Sequence, residues 1–114
     1  MLPVAIVITT WNSEAVIGRC LEALRSQGAS EIHIIDNGSS DGTLQCIEAL
    51  DLEPCLYHET ENRGFSYSCN EGLTKTQQPF IFYLNDDATL KPGYLETLYR
   101  ALEQTPNAAS AVGK

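Results

Sequence analysis

Two adjacent aspartates, Asp86 and Asp87, follow a short apolar run and carry the sharpest chemical signal in the sequence. Adjacent carboxylates repel each other unless solvent or a cation screens them. Oxygen ligands of this type suit Mg²⁺ or Mn²⁺, which keep part of their water and also bind the phosphates of a substrate. The motif therefore predicts a divalent metal site, and a solvated turn capped by Asp87 is the alternative.

Other polar and aromatic residues could bind a nucleotide. Asp36 could accept a hydrogen bond from a ribose hydroxyl or a base N–H, although the Asn-Gly that follows also suits a plain turn. Trp11 could stack on a base or close the core, and Arg63 could pair with a diphosphate or lie on the surface. We interpret His33 and His58 as packing or surface residues, because no second His or Cys stands at metal spacing.

Apolar runs alternate with helical patterns along the chain. Strands are predicted for residues 4–8, 32–35, 55–58 and 80–84, with the start of another at 109–112. Helices are predicted for residues 13–26, 44–50, 66–75 and 95–102. Asn12 or Ser13 could cap the first helix, and Asp41 the second. The alternation predicts an α/β fold, a mostly parallel sheet with helices on both faces. Ligands bind beyond the carboxyl ends of such strands, where all these polar loops fall.

Composition narrows the class of protein. The 114 residues carry 15 acidic and 7 basic side chains, for a net charge of −8, and suit one domain. This charge argues against a nucleic-acid partner and against electrostatic docking on anionic membranes. No apolar run approaches the roughly 20 residues of a membrane span. No basic residue precedes Arg19, so we expect no signal peptide, and we interpret the four cysteines as reduced thiols of a cytoplasmic protein.

Taken together, four motifs resemble the nucleotide-binding half of family 2 glycosyltransferases with the GT-A fold, in the rhamnosyltransferase-like branch. The similarity covers essentially the whole chain. Its parts are the run from Val4 to Asn12, the stretch from Ile34 to Thr43, Asn62-Arg63-Gly64-Phe65 with Asn70-Glu71-Gly72-Leu73, and Leu84-Asn85-Asp86-Asp87-Ala88 with Pro92-Gly93 and Leu95. Trp11 stands where this family usually has Tyr, and Asn85 takes the variable first position of its D-x-D motif.

The resemblance implies a Rossmann-like half of a GT-A domain over residues 1–114, with a nucleotide-diphospho-sugar as donor. Asp87 would bind the divalent metal, Mn²⁺ or Mg²⁺, that bridges the diphosphate. By the same resemblance, Thr9 and Trp11 would contact the base and ribose, and Glu14 would lie beside that pocket. Asp36 would contact the base or ribose, and Asp86 the ribose or donor sugar. Arg63 would approach the diphosphate.

The implied reaction is transfer of the sugar, with inversion, to an acceptor glycan or lipid-linked sugar in cell-envelope polysaccharide biosynthesis. The acceptor would bring the enzyme to the inner face of the membrane. An inverting transferase needs a general base to take the proton of the acceptor hydroxyl. The only acidic residues after Asp87 are Glu96 and Glu103, and both belong to the pattern of the last predicted helix. We therefore expect the acceptor-binding half to be absent from the chain and the incomplete sheet edge to favour self-association.

Two alternatives compete with the transferase. One is a non-catalytic nucleotide-binding or assembly module built on the same half-fold. The other is a phospho-acceptor receiver domain, which has a similar length and alternation of elements. A receiver domain needs an acidic pair after the first strand, where this sequence has Thr9-Thr10-Trp11-Asn12, so that alternative is the weaker one.

Overall fold

The structure is a computed structural model that describes residues 1–52, 54–108 and 110–111. Within these ranges strand and helix alternate, and a 3-10 turn over Leu24–Ser26 directly follows the first helix. The strands are β1 (Leu2–Thr10), β2 (Ala29–Asp36), β3 (Cys55–His58) and β4 (Phe80–Asn85). The helices are α1 (Ile17–Ala23), α2 (Thr43–Ala49), α3 (Phe65–Thr74) and α4 (Tyr94–Glu103). Each of these elements was predicted from the sequence, with bounds that differ by a few residues.

The described strands form one parallel sheet in the order β3-β2-β1-β4. The chain first builds outward from β1 through β2 to β3, and then returns to place β4 on the other side of β1. The strand order therefore reverses beside β1, and open sheets of this kind bind ligands outside the carboxyl ends of the strands at such a point. The predicted α/β fold with a parallel sheet is confirmed.

Helices cover both faces of β1, as its uninterrupted apolar sequence predicts. Successive side chains of a strand point to opposite faces. Val4, Ile6 and Ile8 belong to the main core cluster, together with residues of α1, α2 and α4. Val7 points the other way and meets α3, where a Cβ added to Gly72 would lie only 2.4 Å from Val7 Cγ1.

Helix α1 begins later than predicted, and the expected caps are wrong. Its N-cap is Val16, which makes no side-chain capping bond. The Ser13 carbonyl instead accepts the N–H groups of Val16 and Ile17, and Asn12 adopts a left-handed φ of 47°. Asp41 does serve α2, although the N-cap is Gly42: its Oδ1 accepts the Thr43 N–H at 3.0 Å.

The two edges of the described sheet are β3 and β4. Beside β4, an apolar cavity of about 280 Å³ lies against α4, with Phe80, Phe82, Leu95 and Tyr99 among its walls. Of the strand expected at 109–112, residues 109 and 112 lie outside the described residues, and 110–111 are not in a strand. Self-association through this edge stays a prediction.

Two further sequence predictions concern the cysteine thiols and membrane-spanning helices. Cys20, Cys46 and Cys69 are free, as predicted, and Cys20 alone among these three is fully buried. Nowhere in the described ranges is there a helix with the length and apolarity to cross a membrane.

Candidate functional site

A cavity of about 330 Å³ opens where β1 and β4 end, at the point where the strand order reverses. Its walls combine polar side chains with two aromatic rings. They are Thr9, Thr10, Trp11, Ser13, Phe65, Asn85, Asp86 and Asp87. The sequence predicts that the loops after all four strands converge, and those after β1 and β4, with Phe65 after β3, line this cavity. No described residue of the loop after β2 is among its walls, and four of the predicted site residues are.

Asp86 is held in one orientation by the end of β1. Its Oδ2 accepts a hydrogen bond from Thr10 Oγ1 at 2.9 Å and a second from Ser13 Oγ. Thr10 is almost fully buried, so this carboxylate completes a polar group that would otherwise lack a partner. The bonds join residues more than 70 positions apart and tie the two neighbouring strand ends together.

Asp87 differs from its neighbour because its exposed carboxylate makes no hydrogen bond or ion pair with any of the described residues. The charges of Asp86 and Asp87 also affect Cys20, whose Sγ lies 3.7 Å from the Asn85 carbonyl oxygen. Burial, followed by the charges of Asp86 and Asp87, raises the pKa of the Cys20 thiol to about 12. Cys20 is therefore a buried thiol rather than a nucleophile.

The carboxylates at this cavity can be compared with the ligands that a divalent metal ion requires. Among the described residues, no group of three or more His, Cys, Asp or Glu side chains is arranged to hold a metal. Mg²⁺ commonly binds through one or two carboxylates and completes its shell with water and substrate phosphates. A fixed Asp86 beside an unengaged Asp87 fits that second pattern and not a site built from protein ligands alone.

Two exposed aromatic residues line the same cavity as the carboxylates. Trp11 is 51% exposed and Phe65 is 57% exposed, and both line the cavity. Phe65 was not predicted as a site residue. It is the first residue of α3 and follows Gly64, whose φ is 91° and whose N–H donates to Asn62 Oδ1 at 2.8 Å. An Asn-x-Gly turn directly before an aromatic residue was the signal that could have found it.

Glu14 and Arg63 do not line the cavity. Glu14 Oε1 accepts the Gly42 N–H at 2.6 Å and so closes the loop that leads into α2. Arg63 lies over the Tyr67 ring, 5.2 Å from its centroid, and its Nε is 3.3 Å from Glu61 Oε1. The predicted approach of Arg63 to a diphosphate would require it to leave both neighbours.

Asp36 is fully buried, and protein groups already bind both of its carboxylate oxygens. Its Oδ1 accepts a hydrogen bond from Ser39 Oγ at 2.5 Å, and its Oδ2 accepts the Ser39 N–H at 3.1 Å and His58 Nδ1 at 2.6 Å. His58, which pairs with Asp36 in the register of β3 and β2, keeps 46% of its side chain exposed. His58 is thus a surface residue, as interpreted, and its Nδ1 is paired with a buried carboxylate.

His33 matches its interpretation as a packing residue. It is 3% exposed, its ring stacks on Tyr57, and its Nε2 lies 2.6 Å from Glu31 Oε1.

Comparison with known proteins now decides the family. Residues 5–113 match the model described as glycosyl transferase family 2. The chain belongs to this family. Among its relatives, the lipopolysaccharide core biosynthesis glycosyltransferase LpsC of Rhizobium meliloti is 31% identical over 99 residues, which are 85% of this chain and 36% of LpsC.

Solved structures share the fold of this family 2 chain. A mannosyltransferase of Pyrobaculum calidifontis, described in complex with GDP-Man and Mn²⁺, has a TM-score of 0.81 at 24% identity and covers 98% of this chain and 36% of its own. TarS 1–349 of S. aureus, described in complex with UDP-GlcNAc, has a TM-score of 0.71 at 25% identity and covers 90% and 30%. The chain therefore spans about a third or less of the proteins it matches.

Family membership and fold bear on two earlier expectations. The receiver-domain alternative is overturned by the family match. Glu96 and Glu103 lie on the last helix, α4, as predicted. Glu96 pairs with Arg100 at 2.9 Å, and Glu103 accepts a hydrogen bond from the Tyr99 hydroxyl at 2.8 Å.

Proposed function

We propose that residues 1–114 form the nucleotide-diphospho-sugar-binding part of a glycosyltransferase, which transfers the sugar to an acceptor hydroxyl. The observation that carries this proposal is the cavity at the ends of β1 and β4, which a fixed Asp86 and an unengaged Asp87 line together with Trp11 and Phe65. The family match supports a transferase over the non-catalytic assembly module.

The donor nucleoside is proposed to lie along the end of β1. Thr9 and Trp11 contact the base and ribose, and the wide exposed face of Trp11 offers the apolar surface on which a base stacks. Asp86 accepts a hydroxyl of the ribose or of the donor sugar. Because Thr10 and Ser13 already hold its carboxylate, Asp86 binds a ligand without first losing side-chain freedom.

Asp87 is proposed to bind the divalent metal, Mn²⁺ or Mg²⁺. A diphosphate is an anion, and a chain with a net charge of −8 and two carboxylates at the cavity repels it. A bound divalent ion would reverse the local sign and stabilise the charge that develops on the leaving diphosphate. The mannosyltransferase that shares the fold is itself described with GDP-Man and Mn²⁺.

Glu14, Asp36 and Arg63 are not among the residues that line the cavity, and their proposed roles are less direct. Glu14 and Asp36 shape the loop after β2, Asp36 at the end of the site where the base is expected. Arg63 reaches a diphosphate once it leaves Glu61 and Tyr67, an exposed pairing of the kind that contributes little to stability.

The remaining proposals concern the whole enzyme. The acceptor is a glycan or lipid-linked sugar, the reaction inverts the anomeric centre, and the acceptor brings the cytoplasmic enzyme to the membrane surface. Support comes from the family membership and from the similarity to LpsC, which is named for lipopolysaccharide core biosynthesis.

Calorimetric titration of UDP, dTDP and GDP into the chain, with Mn²⁺ and again with EDTA, tests the proposal. We expect one nucleotide to bind in the presence of Mn²⁺ only. Asp87→Ala should then abolish this binding and leave the melting temperature unchanged, since its carboxylate supports no described contact. Asp51→Ala, which removes an exposed carboxylate far along the chain from the cavity, is the matched control. Unchanged affinity in Asp87→Ala would refute the metal assignment, and no binding of any nucleotide would refute donor binding.

A further inference from the structure

The carboxylate–imidazole pair of Asp36 and His58 lies at the carboxyl ends of β2 and β3, the same edge of the sheet at which the cavity opens. Asp36 is 0% exposed, and each of its oxygens already accepts at least one hydrogen bond from Ser39 or His58. A ligand reaches this carboxylate only by displacing one of those two residues. The imidazole in front of it, by contrast, is nearly half exposed.

The contacts of Asp36 also indicate which ring nitrogen of His58 carries a hydrogen toward it. A carboxylate that accepts both the N–H and the hydroxyl of Ser39 acts as an acceptor toward His58 as well. Nδ1 therefore carries the hydrogen and donates it across 2.6 Å. In the neutral imidazole the other nitrogen, Nε2, is then an acceptor. A buried carboxylate that orients an imidazole in this way is a recurrent arrangement behind working histidines.

We propose that His58 Nε2 is the acceptor that reads a hydrogen-bond donor of the nucleoside, a base N–H or a ribose hydroxyl, with Asp36 as the buried group that orients it. The inference rests on the proposed function and deepens it by naming a specificity-determining residue. It also changes the part of Asp36, which acts through His58 and is a positioning residue.

The loops around the pair support this assignment. Ser39, which binds Asp36 through both its N–H and its hydroxyl, also accepts the Asn12 N–H at 2.8 Å through its Oγ. Asn12 directly follows Trp11, the proposed stacking surface for the base. Hydrogen bonds through Ser39 therefore connect the Asp36–His58 pair to the residue that follows Trp11 in the chain.

Two substitutions separate the roles of the ring nitrogens. The amide of His58→Asn takes the place of Nδ1 and still donates to Asp36, but it lacks the outward acceptor. The longer His58→Gln places an amide near Nε2 and gives up the donor to Asp36. We expect His58→Asn to keep the wild-type melting temperature and to bind UDP up to about 10-fold more weakly, the worth of one hydrogen bond. His58→Gln should melt earlier and bind UDP nearly as well as wild type.

The assay is calorimetric titration of UDP in the presence of Mn²⁺, with thermal melting of each variant. UDP analogues methylated at the base N3 or lacking the 2′-hydroxyl distinguish the two sources of the donor, because the donor is missing from the analogue whose affinity His58→Asn no longer changes. Wild-type affinity in His58→Asn would overturn the inference while leaving the proposed function standing. Failure of the wild-type chain to bind UDP, dTDP or GDP would overturn both.

Discussion

Replacement of Gly72 by alanine tests whether α3 packs on β1 as closely as the structure has it. A Cβ at this position would lie 2.4 Å from Val7 Cγ1 and 3.2 Å from Val7 Cγ2. Val7 is 1% exposed in β1, one of the two inner strands of the described sheet. The helix must therefore move away from the sheet by about 1 Å to reach an ordinary carbon–carbon separation.

The expected magnitude is a balance of two terms. An extra methyl group in a closely packed core costs about 1–3 kcal/mol. Alanine in place of glycine within a helix returns about 1 kcal/mol through helix propensity. We expect Gly72→Ala to lower the free energy of unfolding by about 1 kcal/mol, and the melting temperature by roughly 4 °C for a domain of this size. Because Phe65 begins the same helix, the shift also moves one wall of the proposed site.

Gly18→Ala is the matched control, because Gly18 also lies in a helix and a Cβ there meets nothing within 4 Å. That variant should gain about 0.5–1 kcal/mol from propensity alone. Urea unfolding measures both. Adding Val7→Ala to Gly72→Ala should show a favourable coupling energy of about 0.5–3 kcal/mol, since the smaller residue makes room. If Gly72→Ala stabilises the chain as Gly18→Ala does, the close packing of α3 on β1 is refuted.

Three further predictions follow from other contacts. Asp86→Ala should lower the free energy of unfolding by about 1–3 kcal/mol in urea titrations, because it leaves the buried Thr10 hydroxyl without its acceptor. Iodoacetamide at mildly alkaline pH should modify the partly buried Cys46 well before Cys20, whose burial raises its pKa to about 12, as mass spectrometry would show. A hydrogen bond from His33 lowers the pKa of Glu31 to about 2 from 4.5, so its contribution to stability is present above about pH 4.5 and is lost as the pH falls toward 2. Denaturant titrations at several acidic pH values should find that loss reduced in Glu31→Gln.

The fold could be predicted largely because the sequence of β1 itself indicates that this strand is buried. The run from Val4 to Ile8 has no polar interruption, and a strand of that kind is covered on both faces. The start of α1 could not be predicted in the same way. Asn12 and Ser13 look like helix caps locally, but their side chains bind Ser40 and Asp86, which lie far along the chain. Tertiary contacts of that length leave no local pattern.

The same limit applies to the site. The sequence shows that Asp86 and Asp87 are adjacent, but not that one is fixed and the other unengaged, because the fixing hydroxyl of Thr10 lies 76 residues away. It likewise shows Asp36 and His58 at two separate strand ends, 22 residues apart. Only the parallel register of β2 and β3 makes them partners.

The end of β1 organises the two halves of the proposed site through contacts in opposite directions. Thr10 and Ser13 bind Asp86 at the end of β4, on the side proposed for the sugar and the metal. Asn12 binds Ser39 and Ser40 after β2, on the side proposed for the nucleoside. The indole of Trp11, between these anchors, stays half exposed. Because hydrogen bonds hold the neighbours of Trp11 on both sides, its backbone has little freedom left to lose when a ligand binds. Groups that are fixed before binding lose less entropy on binding, and this allows a small, open site to bind a ligand tightly.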